Sequence, residues 1–243
     1  MCSIILIKNS NNLIIATNRD ELLDRPSESH KVRKEGNLKN FSPQDSFKGG
    51  TWLGLNEKGL FVGITNRFTP SPNKSLTSRG VLTKKALEAH SPSEALEKLS
   101  TFKAEEFNPF HLLITNRSET QILWSNGEKI TQFKMLDQYF ILTESSFGAG
   151  ENKRLSFLKS HIEKFSADDD CEPFKKILSM KSDPSFEGPL VHMPERNYGT
   201  RSSFVIKLTP EVESSEFYYS DVPPDQNKWV DFKGIILKEK FNT

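Results

Sequence analysis

MCSIILIKNSNNLIIATNRDE, residues 1–21, is the stretch on which the reading of this chain turns. Residues 3–8 and 13–17 are two runs rich in Ile and Leu, separated by the polar segment Asn9-Ser10-Asn11-Asn12, and the pattern predicts a β-hairpin. With a two-residue turn at Ser10-Asn11, facing positions sum to twenty-one and Cys2 lies opposite Arg19. A three- or four-residue loop moves the partner only to Asn18 or Asp20. Facing Cβ atoms in an antiparallel pair lie about 4.5–5.5 Å apart, so every register brings the chain start to the Asn18-Arg19-Asp20-Glu21 run.

Cys2 follows a small-residue processing site, and removal of Met1 would leave one residue carrying both a thiol and a free α-amino group. Such an amine titrates near pH ~7.7–8.0 and a thiol near ~8.5, so the amine can take the thiol's proton without a distant histidine. At about 4 Å and an effective dielectric of about 20, a guanidinium is worth roughly 4 kcal/mol to an anion, an upper limit for the help Arg19 gives a thiolate. Cysteine attacks a carbonyl as that thiolate. The same residues also fit a plainer reading, in which Cys2 begins an edge strand and the charged run is a solvated strand end.

The whole chain narrows the field. Its 243 residues are 35% hydrophobic and 27% charged with a formal charge of +1, the profile of a globular protein large enough to fold without metal or disulfide. No basic block marks a nucleic-acid footprint. Two cysteines, Cys2 and Cys171, make no disulfide framework, and no Cys/His spacing fits zinc. Cys171 sits among Asp168, Asp169, Asp170 and Glu172, acids that would raise its pKa, and reads as inert. No secretory signal or membrane-spanning stretch is present, which makes a cytoplasmic location the expectation and gives no reason for membrane insertion. Oligomeric state is not legible.

Beyond the hairpin, residues 22–47 lack apolar periodicity and read as a surface excursion. Gly49-Gly50 precedes a strand over 51–55, Asn56-Glu57-Lys58-Gly59 is a turn, and residues 60–66 form a second strand that exits at Asn66, whose amide could face an oxyanion or simply cap the strand. The paired glycines permit positive φ, a close backbone approach or a tight turn. Residues 80–90 and 95–99 read as helices, the second opened by a Ser91-Pro92-Ser93-Glu94 capping box. Four strands follow at 110–115, 120–125, 129–135 and 139–143, with Asn126-Gly127 as a hairpin turn. His111 alternates among apolar residues and reads as core or strand surface. Helices at 152–165 and 173–180 precede strands at 199–208 and 216–220 and an apolar end at 234–237. This order predicts one α+β domain, residues 1–243, with two antiparallel sheets covered by helices.

Met1-Cys2 with its strand, Asn18-Arg19-Asp20-Glu21, Gly49-Gly50-Thr51-Trp52-Leu53-Gly54, Thr65-Asn66, Ser78-Arg79-Gly80 and Tyr198-Gly199-Thr200-Arg201-Ser202-Ser203 together resemble the NRDE family, also called the transport and Golgi organisation 2 family. The family in turn is similar to the N-terminal nucleophile (Ntn) cysteine hydrolases that cleave bile salts and penicillin V. That resemblance implies an αββα four-layer sandwich and amidohydrolase chemistry on a small-molecule amide, with no cofactor. Cys2 would be the nucleophile, Arg19 and Asp20 would position its thiolate and amine, Asn66 would donate to the oxyanion, and Arg201 would bring a second cation to the sulfur. Asn18, Glu21, Thr51, Trp52, Arg79, Glu144, Tyr198 and Ser202 are the implied substrate contacts.

Three departures separate the chain from those amidases. Their arginine and downstream aspartate are separated by two residues, whereas Arg19 and Asp20 are adjacent, and an alternative alignment gives those roles to Asn18 and Glu21. Their later oxyanion asparagine falls at Glu144, where a carboxylate would repel the oxyanion. The family also implies an alternative, a non-catalytic carrier of haem or a lipid-like ligand with Cys2, His192 or Met193 as axial ligand.

Overall fold

The computed structural model describes residues 2–150 and 153–243. In chain order the elements are β1 (Cys2–Lys8), β2 (Leu13–Leu22), β3 (Ser27–Glu35), β4 (Leu38–Asp45), β5 (Leu53–Asn56) and β6 (Phe61–Asn66). Helices α1 (Gly80–Ala86) and α2 (Pro92–Leu99) lead to β7 (Phe110–Thr115), β8 (Thr120–Ser125), β9 (Ile130–Lys134) and β10 (Tyr139–Leu142). Then come α3 (Lys153–Ile162), α4 (Glu172–Leu178), β11 (His192–Met193), β12 (Tyr198–Leu208), β13 (Glu216–Ser220), β14 (Val230–Asp231) and α5 (Lys233–Lys238). Two compact units divide the chain: residues 1–25 with 137–239, and residues 26–136 with 240–243.

In the first unit the sheet order is β10-β1-β2-β12-β13-β14, with β11 on the end of β12. Its β1–β2 hairpin takes the two-residue turn, and Cys2 pairs with Arg19, Ser3 with Asn18 and Lys8 with Leu13. The turn is fixed locally: Asn9 N–H donates to Asn12 O at 3.0 Å, and Asn9 Oδ1 accepts from the amides of Asn11 and Asn12 at 2.9 and 2.8 Å. On one face of the sheet Ile5, Ile7, Ile14, Ala16 and Val205 pack against Leu158 and Ile162 of α3 and Phe174, Ile177 and Leu178 of α4. Each such Ile or Leu withdrawn from water contributes about 1.5–3 kcal/mol, and a one-residue slip would turn the whole set to the opposite face.

The second unit is a seven-stranded antiparallel sheet in simple sequence order, β3 through β9. Val62, Ile64, Leu112, Ile114 and Leu123 pack against Leu82 and Ala86 of α1 and Ala95 and Leu99 of α2. Ser91 Oγ accepts from Glu94 N at 3.1 Å, as the capping pattern predicts, whereas Glu94 Oε2 reaches back to His90 N at 2.8 Å, one residue before the cap.

Two sequence expectations are corrected. The surface excursion expected over residues 22–47 holds the hairpin β3–β4: β3 is an edge strand and mostly exposed, while β4 buries Asn40 and Ser42, joined by a 2.7 Å hydrogen bond from Ser42 Oγ to Asn40 Oδ1. Neither strand therefore carries an apolar alternation. The apolar end at 234–237 lies in α5, where Ile236 is buried and Ile235 and Leu237 are exposed. The predicted start of the third helix at residue 152 falls outside the described residues.

Candidate active site

Cys2 opens β1 directly across from Arg19, half-buried, with Sγ 4.0 Å from the main-chain oxygen of Asp20. Arg19 is itself buried, with Nη2 3.8 Å from Glu21 Oε2, and Arg25 Nε lies 3.8 Å from that same oxygen. Burial pushes the Cys2 thiol above its ordinary pKa and the charge of Asp20 adds to the effect; Arg19 pulls the other way and does not offset them. The net direction is opposite to the one the sequence suggested. A guanidinium is present at the predicted place, but desolvation of the thiolate outweighs it. The predicted removal of Met1 lies outside the described residues.

Asp20 is where the site is anchored. Its carboxylate is fully buried: Oδ2 takes a 2.9 Å ion pair from Arg154 Nη1, and Oδ1 accepts from Thr200 Oγ1 at 2.6 Å. Its main-chain oxygen accepts from Tyr198 Oη at 2.9 Å. Arg154 also donates through Nε and Nη2 to Phe186 O, at 3.3 and 3.0 Å, and Nη1 lies 3.7 Å from Glu144 Oε2. Burial opposes the Arg154 charge, but Asp20 and Glu144 more than restore it, so the guanidinium pKa is raised. The Asp20 carboxylate is thus held by Arg154 and Thr200, and only its backbone meets the sulfur.

A β-bulge in β12 explains how neighbouring residues part company. Thr200 pairs with Asp20 and Ser202 with Arg19, leaving Arg201 as the extra residue. Facing residues share a face of the sheet, so Thr200 lies with Asp20 while Ser202, buried, lies with Arg19 and Cys2. The Arg201 guanidinium is drawn to the carbonyls of Leu22, Leu23 and Arg25. Among the described residues no hydrogen bond or ion pair joins it to Cys2, and the cation reinforcing this end of the sheet is Arg154.

Asn18 donates both amide hydrogens to main chain, Leu178 O at 2.9 Å and Pro189 O at 2.8 Å, and accepts from Ser203 Oγ at 2.6 Å. It ties β2 to the segments after α4, with its amide fully committed inside the fold. Asn66, Thr51, Trp52 and Arg79 belong to the second unit. Asn66 is exposed at the end of β6 and pairs with Phe110. Thr51 Oγ1 donates to Leu53 O at 2.8 Å, Trp52 packs on the α1/α2 core, and Arg79 Nη1 donates to Pro109 O at 2.9 Å. The Gly-rich motifs make a backbone crossing: a Cβ on Gly50 would stand 2.9 Å from Gly80 Cα. His111 is interior, bonded to Thr65 and Arg67.

Arg154 is the residue that sequence reasoning missed. Arg154, Leu158 and Ile162 are the buried residues of α3. Their four-residue spacing is that of one helix face, a signal available in the sequence. His192 is exposed and Met193 buried on successive positions of β11, which point to opposite faces. Among the described residues no cluster of three or more His, Cys, Asp or Glu could hold a metal ion, and no helix is long and apolar enough to cross a membrane.

Residues 1–219 match the family model described as Transport and Golgi organisation 2. The chain belongs to that family. Among members of the transport and Golgi organisation 2 family, the bovine (Bos taurus) and human (Homo sapiens) homologues are each 30% identical to it over 113 residues, 46% of this chain and 41% of theirs. The match thus spans about two fifths of the length of these curated relatives. Among solved structures, the Caenorhabditis elegans N-acylethanolamine-hydrolyzing acid amidase ortholog is similar at a TM-score of 0.59, with 15% identity and coverage of 84% of this chain and 92% of that one. Penicillin V acylase from Agrobacterium tumefaciens is similar at a TM-score of 0.55, with 13% identity and coverage of 96% and 86%. At these identities the likeness shows the fold alone: α+β, two antiparallel sheets with helices, Ntn-hydrolase-like in arrangement.

Proposed function

We propose that this protein is an amidohydrolase that cleaves a small-molecule amide through Cys2 once Met1 has been removed. The observation that carries the reading is the pairing of Cys2 with buried Arg19, with the sulfur set against the backbone of an Asp20 that Arg154 and Thr200 lock in place. A raised thiol pKa leaves the sulfur protonated near neutrality, so attack requires a base within reach. The α-amino group of a processed Cys2 is that base.

The steps balance without a cofactor. The amine takes the thiol proton, Sγ bonds to the amide carbon and the carbonyl π pair moves to oxygen. Collapse breaks the C–N bond, and the α-ammonium proton leaves with the amine product. Water then attacks the thioester, releasing the carboxylic acid and restoring the thiol. Arg19 steadies the transient thiolate, and Arg154 acts one step removed, through Asp20. The fold neighbours are named for an N-acylethanolamine amidase and a penicillin acylase, which supports an acyl amide as the substrate class.

An acyl electrophile such as p-nitrophenyl acetate tests the reading. Intact mass is expected to show Met1 absent and one acetyl group on the protein, retained in Cys171→Ala and lost in Cys2→Ala. Equal labelling of Cys2→Ala and wild type would overturn it.

A further inference from the structure

The amidase reading leaves the donor to the oxyanion open. Where the amidases it resembles carry an oxyanion asparagine, this chain carries Glu144, whose carboxylate cannot donate while ionised and lies 3.7 Å from Arg154. A tetrahedral intermediate formed at Cys2 needs donors about 2.7–3.1 Å from the position its oxygen takes. Arg154 is turned to other partners, with Nη1 on the Asp20 carboxylate and Nε and Nη2 on Phe186 O. Arg201 is likewise turned away, being held on the carbonyls of residues 22–25.

Tyr198 has the position. Its hydroxyl and the Cys2 sulfur converge on one atom, the main-chain oxygen of Asp20, at 2.9 and 4.0 Å. The residue is half-buried and enters β12 just before Gly199 and the Arg201 bulge, so its ring is carried by a strand paired along the length of β2. We propose that the Tyr198 hydroxyl is an oxyanion donor for acyl transfer at Cys2, swinging its hydrogen from Asp20 O to the developing alkoxide and taking the part that Glu144 cannot. The inference rests on the amidase reading and adds a catalytic residue to it.

One feature beyond the geometry supports the assignment. Burial, then the nearby charge of Asp20, pushes the phenol well above its ordinary pKa, so it stays a donor throughout the working range.

The test separates a donor from a strut. Acetylation of Cys2 by p-nitrophenyl acetate passes through a tetrahedral oxyanion; alkylation of the same sulfur by iodoacetamide does not. In Tyr198→Phe, acetylation measured by p-nitrophenolate release is expected to fall at least about tenfold, the lower side of what losing one oxyanion donor costs, with the alkylation rate within about twofold of wild type. Equal falls in both rates would assign Tyr198 to holding the site's shape, and no fall in either would leave it without a role in catalysis; both overturn the proposal. If wild-type Cys2 is alkylated but never acetylated, the amidase reading fails and this inference falls with it, an outcome distinct from the other two.

Discussion

A thiol made less acidic by its surroundings has to be reconciled with nucleophilic chemistry, and the reconciliation lies in the atom next to it. With a residue ahead of Cys2, the backbone nitrogen is an amide and cannot accept a proton. Burial then keeps the sulfur protonated, and iodoacetamide alkylation of a chain bearing an N-terminal extension is expected to keep rising beyond pH ~9. In the processed chain a second base titrates near pH ~7.7–8.0, and the alkylation profile is expected to gain a step there. Superimposable profiles for the two forms would show that the amine does not assist.

Arg154 sets a second prediction at the same scale. Removing one partner of a buried ion pair leaves an uncompensated charge, so Arg154→Met is expected to destabilise the protein by about 3–5 kcal/mol in urea unfolding. Adding Asp20→Asn should return part of that loss, because both charges are then gone. A neutral Arg154→Met would mean that Asp20 is not held as the geometry indicates. These contacts also mark the limit of what the sequence disclosed. That Cys2 lies against residues 18–20 was legible from two apolar runs and a polar turn, because strand register is arithmetic, and the two-residue turn selects Arg19. The salt bridge to Asp20 was not, since it joins residues 134 positions apart.

Among the elements, the legible ones bury a face. β1, β2 and β6 to β8 announced themselves by unbroken apolar runs, and α2 by its cap. β3 and β4 did not, because an exposed edge strand and a strand with an interior Asn–Ser pair have no hydrophobic period. The bulge at Arg201 was equally silent, and it is what separates Thr200 from Ser202 across the sheet. Two glycines test the packing with opposite signs. Gly50→Ala forces a methyl to within 2.9 Å of Gly80 Cα, between two backbones, and should cost about 1–3 kcal/mol. Gly234→Ala in α5 meets nothing within 4 Å and should stabilise by roughly 0.5–1 kcal/mol. Thermal unfolding of both variants reads the two signs directly.

At the scale of the whole molecule, two seven-stranded antiparallel sheets each carry their own helices and core, and the first unit holds the chain start, the Asp20 anchor and the bulged strand together. Residues 2, 20 and 198 meet at one end of one sheet, and Arg154 of α3 joins them through Asp20, which is where the proposed nucleophile stands. The most direct measurement is turnover of a panel of N-acyl amides by two forms of the protein, one with Cys2 as its first residue and one with a non-cleavable residue retained ahead of it. Release of amine from at least one acyl amide by the first form, and none above background by the second or by Cys2→Ala, is the result predicted. Equal turnover by the extended form would contradict the account.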